Sequence, residues 1–231
     1  TFDGGVCEGK ATLVLGGQSA SVEGIIFRNI SVPDGNGAGI RLQGGNLNVS
    51  NSTFMDSEQG ILTADDPAGS IRIDRSTFSG LGRCDRGLSC AHSIYIGNYG
   101  RLTVTRARFE RGHGGHYVKS RAAVTEVLDS SFDDVRGRQT NYMVDLPEGG
   151  NGRIAGNFMV QGRGKENYSA FIAVGAEDVT HSSADLTIEN NDAKLAPGLV
   201  RPTIFLANWT KDRIKLGANR LGPNLTPYEQ R

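Results

Sequence analysis

The sequence predicts an all-β protein, folded as a single right-handed parallel β-helix (solenoid) domain of about eight coils over residues 1–231. Three observations support this prediction. The composition is typical of many short strands and tight turns, with 32 glycines, 7 prolines and 7% aromatic residues. No window of about a dozen residues carries the sustained apolar period of an α-helix. An apolar pattern also returns along the chain at steps of 23 to 34 residues.

The returning pattern is a β-branched aliphatic residue five positions before a phenylalanine. The clear copies are VEGIIF (22–27), VSNSTF (49–54), IDRSTF (73–78), VTRARF (104–109) and VLDSSF (127–132), and weaker copies are IAGNFM (154–159), IENNDA (188–193) and LGANRL (216–221). Two steps are lengthened by insertions, at Cys84–Cys90 and at Ala176–Ala184. Insertions between the coils of a solenoid usually border its binding face.

A second apolar strand lies between successive copies. It reads GIRL (39–42), GILT (60–63), SIYI (93–96), HYVK (116–119), YMVD (142–145), AFIA (170–173) and TIFL (203–206). Two or three strands per repeat cannot bury an apolar face alone, so equivalent strands are expected to stack in parallel about 4.8 Å apart. A β-sandwich fits less well, because its turns recur every 8–12 residues or so. A leucine-rich repeat would need a dense leucine framework.

The charges of the chain balance, since 25 Lys and Arg residues stand against 25 Asp and Glu residues. This balance gives no reason to expect a nucleic acid or an anionic membrane as a partner. No stretch reaches the roughly 20 apolar residues that a membrane-spanning helix needs. The chain begins at Thr1 without a secretory signal, which is typical of a processed or trimmed protein. The strand edge at this end needs cover, and the candidates are a removed segment, a partner, or end-to-end or lateral self-association.

Two of the three cysteines, Cys84 and Cys90, are close enough in sequence to close a small loop, whereas Cys7 has no evident partner. A disulfide between Cys84 and Cys90 would indicate an oxidising compartment. The alternative is a pair of free thiols in a flexible loop. Their spacing does not suit zinc. No metal ligands are assigned, and calcium is kept as a candidate cofactor.

The densest set of functional side chains lies in the middle coils, in residues 91–95, 112–121 and 141–145. Alignment on the phenylalanines places Tyr117 over Ile94 and Lys119 over Ile96. The same alignment places Asp145 close above Lys119. All of these residues are expected on one face of the solenoid.

The alternation of a half-buried strand points Tyr117 and Lys119 outward and Val118 into the core. An inward Lys119 would be an unpaired buried charge. Catalytic roles are predicted for Tyr95, His116, Lys119 and Arg121. Substrate-binding roles are predicted for His92, His113, Tyr117, Arg138, Tyr142 and Asp145.

Val118-Lys119-Ser120 resembles the Lys-Ser element of the β-helical polysaccharide lyases that include alginate lyases and chondroitinase B. The resemblance implies that Lys119 is the base that removes the proton α to a uronic-acid carboxylate. The arginine that serves as the acid in that family comes from the following coil, where this chain has Asp145. Arg121 or Arg138 would substitute for it. More broadly, the chain resembles exported bacterial β-helix proteins of the pectate-lyase-like superfamily, which implies a secreted or periplasmic location.

The leading prediction is therefore a lyase that cleaves an anionic polysaccharide or oligosaccharide by β-elimination. This reaction needs a base, and a cation that stabilises the carboxylate as charge develops. Arg121 beside Lys119 would favour the neutral, proton-accepting amine unless Asp145 cancels the effect. The alternative for Lys119, Arg121 and Asp145 is an ordinary surface ion-pair ladder.

Three other functions stay open. A non-catalytic surface or adhesion module could bind glycan along its groove, and a structural spacer would bind none. Gly112-His113-Gly114 resembles the Gly-His-Gly element of β-helical polygalacturonases, with Asp65 and Asp66 as the carboxylate pair of a glycoside hydrolase. Inverting hydrolysis needs two carboxyl groups roughly 6.5–9.5 Å apart, and Asp65 and Asp66 are interpreted as turn residues. Trp209 either stacks on a sugar or covers the C-terminal coil.

Overall fold

The computed structural model describes residues 1–85 and 87–231. These residues form no helix, and their strands pair in parallel in three long sheets. Each coil of the chain contributes one strand to each sheet in turn, over about eight coils. The predicted fold class, an all-β right-handed parallel β-helix, is confirmed.

The strands are numbered in chain order and grouped by sheet. Sheet 1 contains β1 (Phe2–Asp3), β4 (Ile26–Arg28), β7 (Thr53–Met55), β10 (Thr77–Ser79), β13 (Arg108–Glu110), β16 (Ser131–Asp133), β20 (Phe158–Gln161), β24 (Asp192–Leu195) and β27 (Arg220–Leu221). Sheet 2 contains β2 (Ala11–Leu15), β5 (Ala38–Leu42), β8 (Gln59–Thr63), β11 (Ile94–Ile96), β14 (Val118–Ser120), β18 (Val144–Leu146), β22 (Ala170–Val174), β25 (Thr203–Asn208) and β28 (Leu225–Gln230). Sheet 3 contains β3 (Ser19–Glu23), β6 (Asn46–Ser50), β9 (Asp66–Asp74), β12 (Tyr99–Thr105), β15 (Val124–Leu128), β19 (Asn151–Ala155), β23 (Thr187–Glu189) and β26 (Lys215–Leu216). A short fourth sheet pairs β17 (Arg138–Thr140) with β21 (Gly164–Lys165).

Each predicted repeat segment covers two strands that belong to different sheets. In the first copy Val22 lies in β3 of sheet 3, and Phe27 lies in β4 of sheet 1. Between them the chain turns at Gly24, which has a φ of 67°. The equivalent corner residues also have positive φ, and they are Asn51, Arg75, Arg106, Asp129, Gly156 and Asn190. The five-residue spacing is therefore the length of the corner between sheets 3 and 1.

The phenylalanines of the repeat form one continuous stack inside the solenoid. Ring centroids of Phe27, Phe54, Phe78, Phe109 and Phe132 are 4.7 to 5.0 Å apart, with the planes nearly parallel. All five side chains are buried. Since the parallel register places each phenylalanine over the last, the predicted ladder follows from the repeat itself.

A second ladder, made of polar side chains, follows the corner between sheets 3 and 1. The Ser52 hydroxyl accepts the backbone N–H of Ile25 at 3.2 Å, and the Ser76 hydroxyl accepts the N–H of Ser52 at 3.2 Å. Asn157 and Asn191 act in the same way further along, each on the N–H of the preceding coil. The buried turn amides are thus satisfied by the coil above.

The N-terminal end of the solenoid leaves apolar side chains in contact with solvent. Phe2 stacks on Phe27 with one face, with ring centroids 5.6 Å apart, and is 43% exposed. Val6 is also exposed nearby. Self-association through this edge stays a prediction. Within the described part of the chain there is no helix long and apolar enough to cross a membrane.

Candidate functional site

The outer face of sheet 2 carries a column of side chains that includes most of the predicted site. The strand register places Arg41, Leu62, Tyr95, Lys119 and Asp145 directly above one another, one per coil. A cavity of about 570 Å³ is lined by the members of this column from Arg41 to Lys119, but not by Asp145. The other predicted site residues that line this cavity are His92, His116 and Arg121.

The observed register corrects the prediction by one residue. Val118 pairs with Ile94, and Lys119 pairs with Tyr95 instead of Ile96. Asp145 does pair with Lys119, as predicted, and Val118 is buried in the core. The phenylalanine anchors do not fix the register of sheet 2, because the segment between sheets 1 and 2 differs in length from coil to coil.

The predicted substrate-binding role of Tyr117 is wrong. Its side chain is only 1% exposed, and its ring lies edge-on between Phe109 and Phe132. The Tyr117 hydroxyl donates to Asp134 Oδ1 at 2.7 Å. Burial and the adjacent Asp134 carboxylate raise the pKa of Tyr117 well above 10. Tyr117 therefore belongs to the core of the solenoid.

Two histidines and a tyrosine from successive coils form an aromatic stack on one side of the column. The ring centroids of His92 and His116 are 4.9 Å apart, and those of His116 and Tyr142 are 5.4 Å apart. His92 Nδ1 accepts the backbone N–H of His116 at 2.9 Å, and His116 Nδ1 accepts that of Tyr142 at 3.2 Å. Both neutral imidazoles therefore carry their proton on Nε2.

Both histidines are held in the neutral form. Burial, together with the charge of Lys119, lowers the pKa of His92 to about 3. Burial and the neighbouring His92 lower the pKa of His116 well below 6.5. His116 Nε2 lies 3.3 Å from Asp145 Oδ2, so its N–H donates to that carboxyl group. The two rings are donors at the edge of the groove, and neither is a base in this tautomer.

Asp145 is a buried carboxyl group that contacts His116 and Lys119 and does not itself line the cavity. Its Oδ2 is 3.8 Å from Lys119 Nζ, and its Oδ1 is buried with no hydrogen-bond partner among the described residues. Burial raises the pKa of Asp145 to about 7, against the opposing charges of Lys119 and Arg121. Asp145 can therefore hold a proton near neutral pH.

Lys119 and Arg121 share one carboxylate from a loop that the sequence assigned to the wall of the binding face. Glu177 accepts Lys119 Nζ on Oε1 at 2.7 Å and Arg121 on Oε2 at 2.6 Å. Arg121 also donates to Glu148. Burial alone would raise the pKa of Glu177, but the bonds from Lys119 and Arg121 lower it. Neither acid was predicted from the sequence, although Glu177 lies inside the Ala176–Ala184 insertion.

Tyr95 links the aromatic and ionic parts of the site. Its hydroxyl oxygen accepts Arg121 Nε at 3.1 Å, and its ring lies edge-on to His92. The Lys119 ammonium is 5.7 Å from the centroid of the Tyr95 ring, within cation–π range. Because Arg121 occupies a lone pair of the oxygen, the hydroxyl proton of Tyr95 stays available to a ligand.

His113 and Arg138, which the sequence placed among the substrate-binding residues, lie outside the groove. They belong to the segments that connect sheet 1 to sheet 2, and they line a separate depression beside Arg83 and Cys84. Arg138 Nη2 is 3.4 Å from His113 Nε2. This placement corrects their assignment, because the side chains turn to a different face from Lys119.

A disulfide-closed loop forms the wall at one side of the groove. Cys84 and Cys90 are joined, and Cys90 lines the cavity together with Ser89. The loop is anchored by Arg83, whose guanidinium donates to the carbonyl oxygens of Gly35 at 2.9 Å and Ser89 at 2.9 Å. Cys7 is a free, exposed cysteine.

Asp65 and Asp66, the predicted carboxylate pair of a glycoside hydrolase, accept hydrogen bonds from backbone amides of turns. Asp65 accepts the backbone N–H of Asn98 at 2.8 Å, and Asp66 accepts that of Gly45 at 2.6 Å. Asp65 lines the groove, whereas Asp66 does not. Within residues 1–85 and 87–231, no group of three or more His, Cys, Asp or Glu side chains is arranged to hold a metal ion. Calcium stays a candidate without ligands.

Trp209 packs on the outside of sheet 2, toward the C-terminal end. It contacts a small apolar cluster that contains Tyr142 and the buried Ala173 and Ala207. The Arg231 guanidinium lies 4.8 Å from the centroid of a Trp209 ring. Trp209 therefore covers the C-terminal coils, which was one of its two predicted roles.

Comparisons with family models, with curated proteins and with solved structures found no match to this chain.

Proposed function

We propose that the groove binds an acidic polysaccharide and cleaves it by β-elimination. The observation that carries the proposal is the Glu177 carboxylate, held by Lys119 on one oxygen and by Arg121 on the other. A uronic-acid carboxylate has the same charge and the same pair of acceptor oxygens. Two cations and a polar groove wall suit such a group, and substrate would replace Glu177.

The reaction assigns one role to each of three residues. Arg121 pairs with the uronate carboxylate and stabilises the charge that develops on it. Once substrate has replaced Glu177, Lys119 releases its ammonium proton to solvent. Its amine then takes the proton from the carbon α to the carboxylate, and the released electron pair forms the new carbon–carbon double bond. The glycosidic carbon–oxygen bond breaks, and the leaving oxygen takes the hydroxyl proton of Tyr95, which is then restored by water. His92 donates through Nε2 to a hydroxyl of the sugar.

A location outside the reducing cytosol is part of the proposal. The Cys84–Cys90 disulfide supports it, because disulfides persist mainly in oxidising compartments.

The test is an assay on alginate, pectate and chondroitin that follows the ultraviolet absorbance of the unsaturated product. We expect wild-type protein to produce it, and Lys119→Ala to lower the rate by about 100-fold or more, as loss of a general base does. Lys215→Ala is the matched control, since Lys215 pairs with Asp185 on the exposed surface of sheet 3. Full activity in Lys119→Ala would contradict the proposal.

Binding without cleavage is the second candidate, and one observation favours it. Lys119 has two carboxyl groups beside its amine, Glu177 at 2.7 Å and Asp145 at 3.8 Å. A base has to be released from such partners before it can accept a proton. A polymer that binds the wild-type protein and gives no ultraviolet product would favour this second function.

A further inference from the structure

Arg41 is a cation of the groove that has no acidic partner among residues 1–85 and 87–231. It lies in β5, on the same outward column as Tyr95 and Lys119, and it lines the same cavity. Among the residues that the structure describes, no acid forms a salt bridge with it, and its Nε is buried without a hydrogen bond. A half-buried guanidinium without an anion is costly, so a ligand that supplies one is favoured.

The other two cations of the groove differ from Arg41, because each of them already has an acidic partner. Lys119 is paired with Glu177, and Arg121 is paired with Glu177 and Glu148. An anion that binds there has to displace an internal carboxylate, whereas an anion at Arg41 displaces none. Asn36 also lines the cavity, and its Oδ1 accepts Gln59 Nε2 at 2.9 Å.

The distance between the two cationic positions is counted in coils. The register runs from Arg41 through Leu62 and Tyr95 to Lys119, which is three steps. At about 4.8 Å per step, the two backbone positions are about 14 Å apart. A pyranose unit advances an extended polysaccharide by about one such step, so a chain along the helix axis places its first and fourth sugars at the two ends.

We propose that Arg41 is a second anion subsite, and that the groove recognises a polyuronate with acid groups on the first and fourth sugars of a tetrasaccharide. A homopolymer with one carboxylate on every sugar meets this requirement. A polymer with acid groups only on alternate sugars does not, since its charged sugars are separated by even numbers of steps. This inference rests on the proposed function, because it takes the groove to be the site of an acidic glycan.

The test is calorimetric binding of defined oligogalacturonates and oligomannuronates, from the disaccharide to the hexasaccharide. For at least one series we expect wild-type affinity to rise by about tenfold between the trisaccharide and the tetrasaccharide, the value of one charge-assisted contact. Arg41→Ala should lose this rise between the trisaccharide and the tetrasaccharide. Arg101→Ala is the control, since Arg101 lies on sheet 3 and pairs with Glu126.

The outcomes separate the two proposals. Disaccharide binding with no gain at the tetrasaccharide would overturn the Arg41 subsite and leave the proposed function standing, and so would an equal gain in wild-type protein and Arg41→Ala. Failure of every oligomer to bind wild-type protein would overturn both. Arg41→Lys keeps the charge and should recover part of the tetrasaccharide affinity, and urea unfolding of both variants checks that they fold.

Discussion

Lys119 Nζ donates to Glu177 Oε1 at 2.7 Å, although the two residues are 58 positions apart in the sequence. The bond joins β14 to the loop after β22, two coils further along. It places an internal carboxylate where the proposed substrate carboxylate would bind.

Glu177→Gln should strengthen the binding of acidic oligosaccharides. The variant removes the carboxylate that competes for Lys119 and Arg121, so affinity for oligouronates should rise by about threefold to tenfold at low salt. Glu189→Gln is a control with the same change of net charge, since Glu189 pairs with Arg153 on sheet 3. Calorimetric titration measures both variants, and equal or weaker binding in Glu177→Gln would count against displacement of Glu177 by substrate.

Asp145 should make the protein less stable as pH rises. Its pKa is raised from 3.8 to about 7 by burial, so between these values the folded state keeps a proton that the unfolded state has lost. Stability from this group is present below about pH 4 and is lost as pH rises to about 7, on the order of a few kcal/mol. His116, Lys119, Arg121 and Glu177 surround Asp145 and set its charge environment.

The measurement is urea unfolding of wild-type protein and Asp145→Asn at several pH values between 4.5 and 7.5 or so. The asparagine can still accept the His116 N–H, but it does not titrate. The variant should therefore gain stability relative to wild type as pH rises. A constant difference across this range would show that Asp145 titrates at its ordinary value.

His92 should stay neutral in mildly acidic solution. Its pKa is lowered to about 3, chiefly by burial, whereas an unfolded histidine titrates near 6.5. The folded state therefore takes up fewer protons, and stability from His92 falls as pH drops below 6.5. Nitrogen-detected NMR of labelled protein should show a proton on Nε2 and constant shifts down to about pH 4. Titration near pH 6.5, like free imidazole added as a reference, would contradict the burial of this ring.

Phe78→Ala should destabilise the solenoid by about 3–5 kcal/mol, because Phe78 is fully buried within the phenylalanine stack. Phe158→Ala is the matched control in the same sheet, since its side chain is 40% exposed. Its cost should be about 1 kcal/mol or less. Equal free energies of unfolding for the two variants would indicate that the stack contributes little.

Removal of the disulfide by Cys84→Ser and Cys90→Ser should cost about 2 kcal/mol, the chain-entropy value for so short a loop. Ligand affinity should fall as well, because Cys90 lines the groove. Cys7→Ser, which changes an exposed free cysteine, should leave both quantities unchanged. Unchanged ligand affinity in the double variant would indicate that the loop does not shape the binding site.

The fold could be predicted because its physical cause repeats in the sequence. Val22 and Phe27 lie on either side of a corner, and their equivalents in later coils occupy the same positions. Each copy of the pattern therefore indicates the same local structure. The division of that segment between two sheets was not predicted. A positive-φ corner such as Gly24 can be recognised in a glycine or asparagine but not in Arg75 or Arg106.

The candidate site could be predicted only in part. Lys119 over Tyr95 and Asp145 over Lys119 follow from strand order, with an error of one residue in the first pair. Tyrosine is a residue type expected in a binding groove, but the loop before β14 directs the side chain of Tyr117 toward Asp134. Glu148 and Glu177 come from later coils. The order of charges along one strand does not indicate which acid of another coil will pair with it.

The column from Arg41 to Lys119 holds its side chains at a fixed spacing of one coil each along the helix axis. Each coil adds the same rise along the axis, whatever the length of its loops. The coil that holds the Cys84–Cys90 insertion separates its strands no further than a coil without one, because Tyr95 still pairs directly with Leu62. Loop insertions can therefore change the walls of the groove, while the distance between the backbone positions of Arg41 and Lys119 changes only when a whole coil is gained or lost.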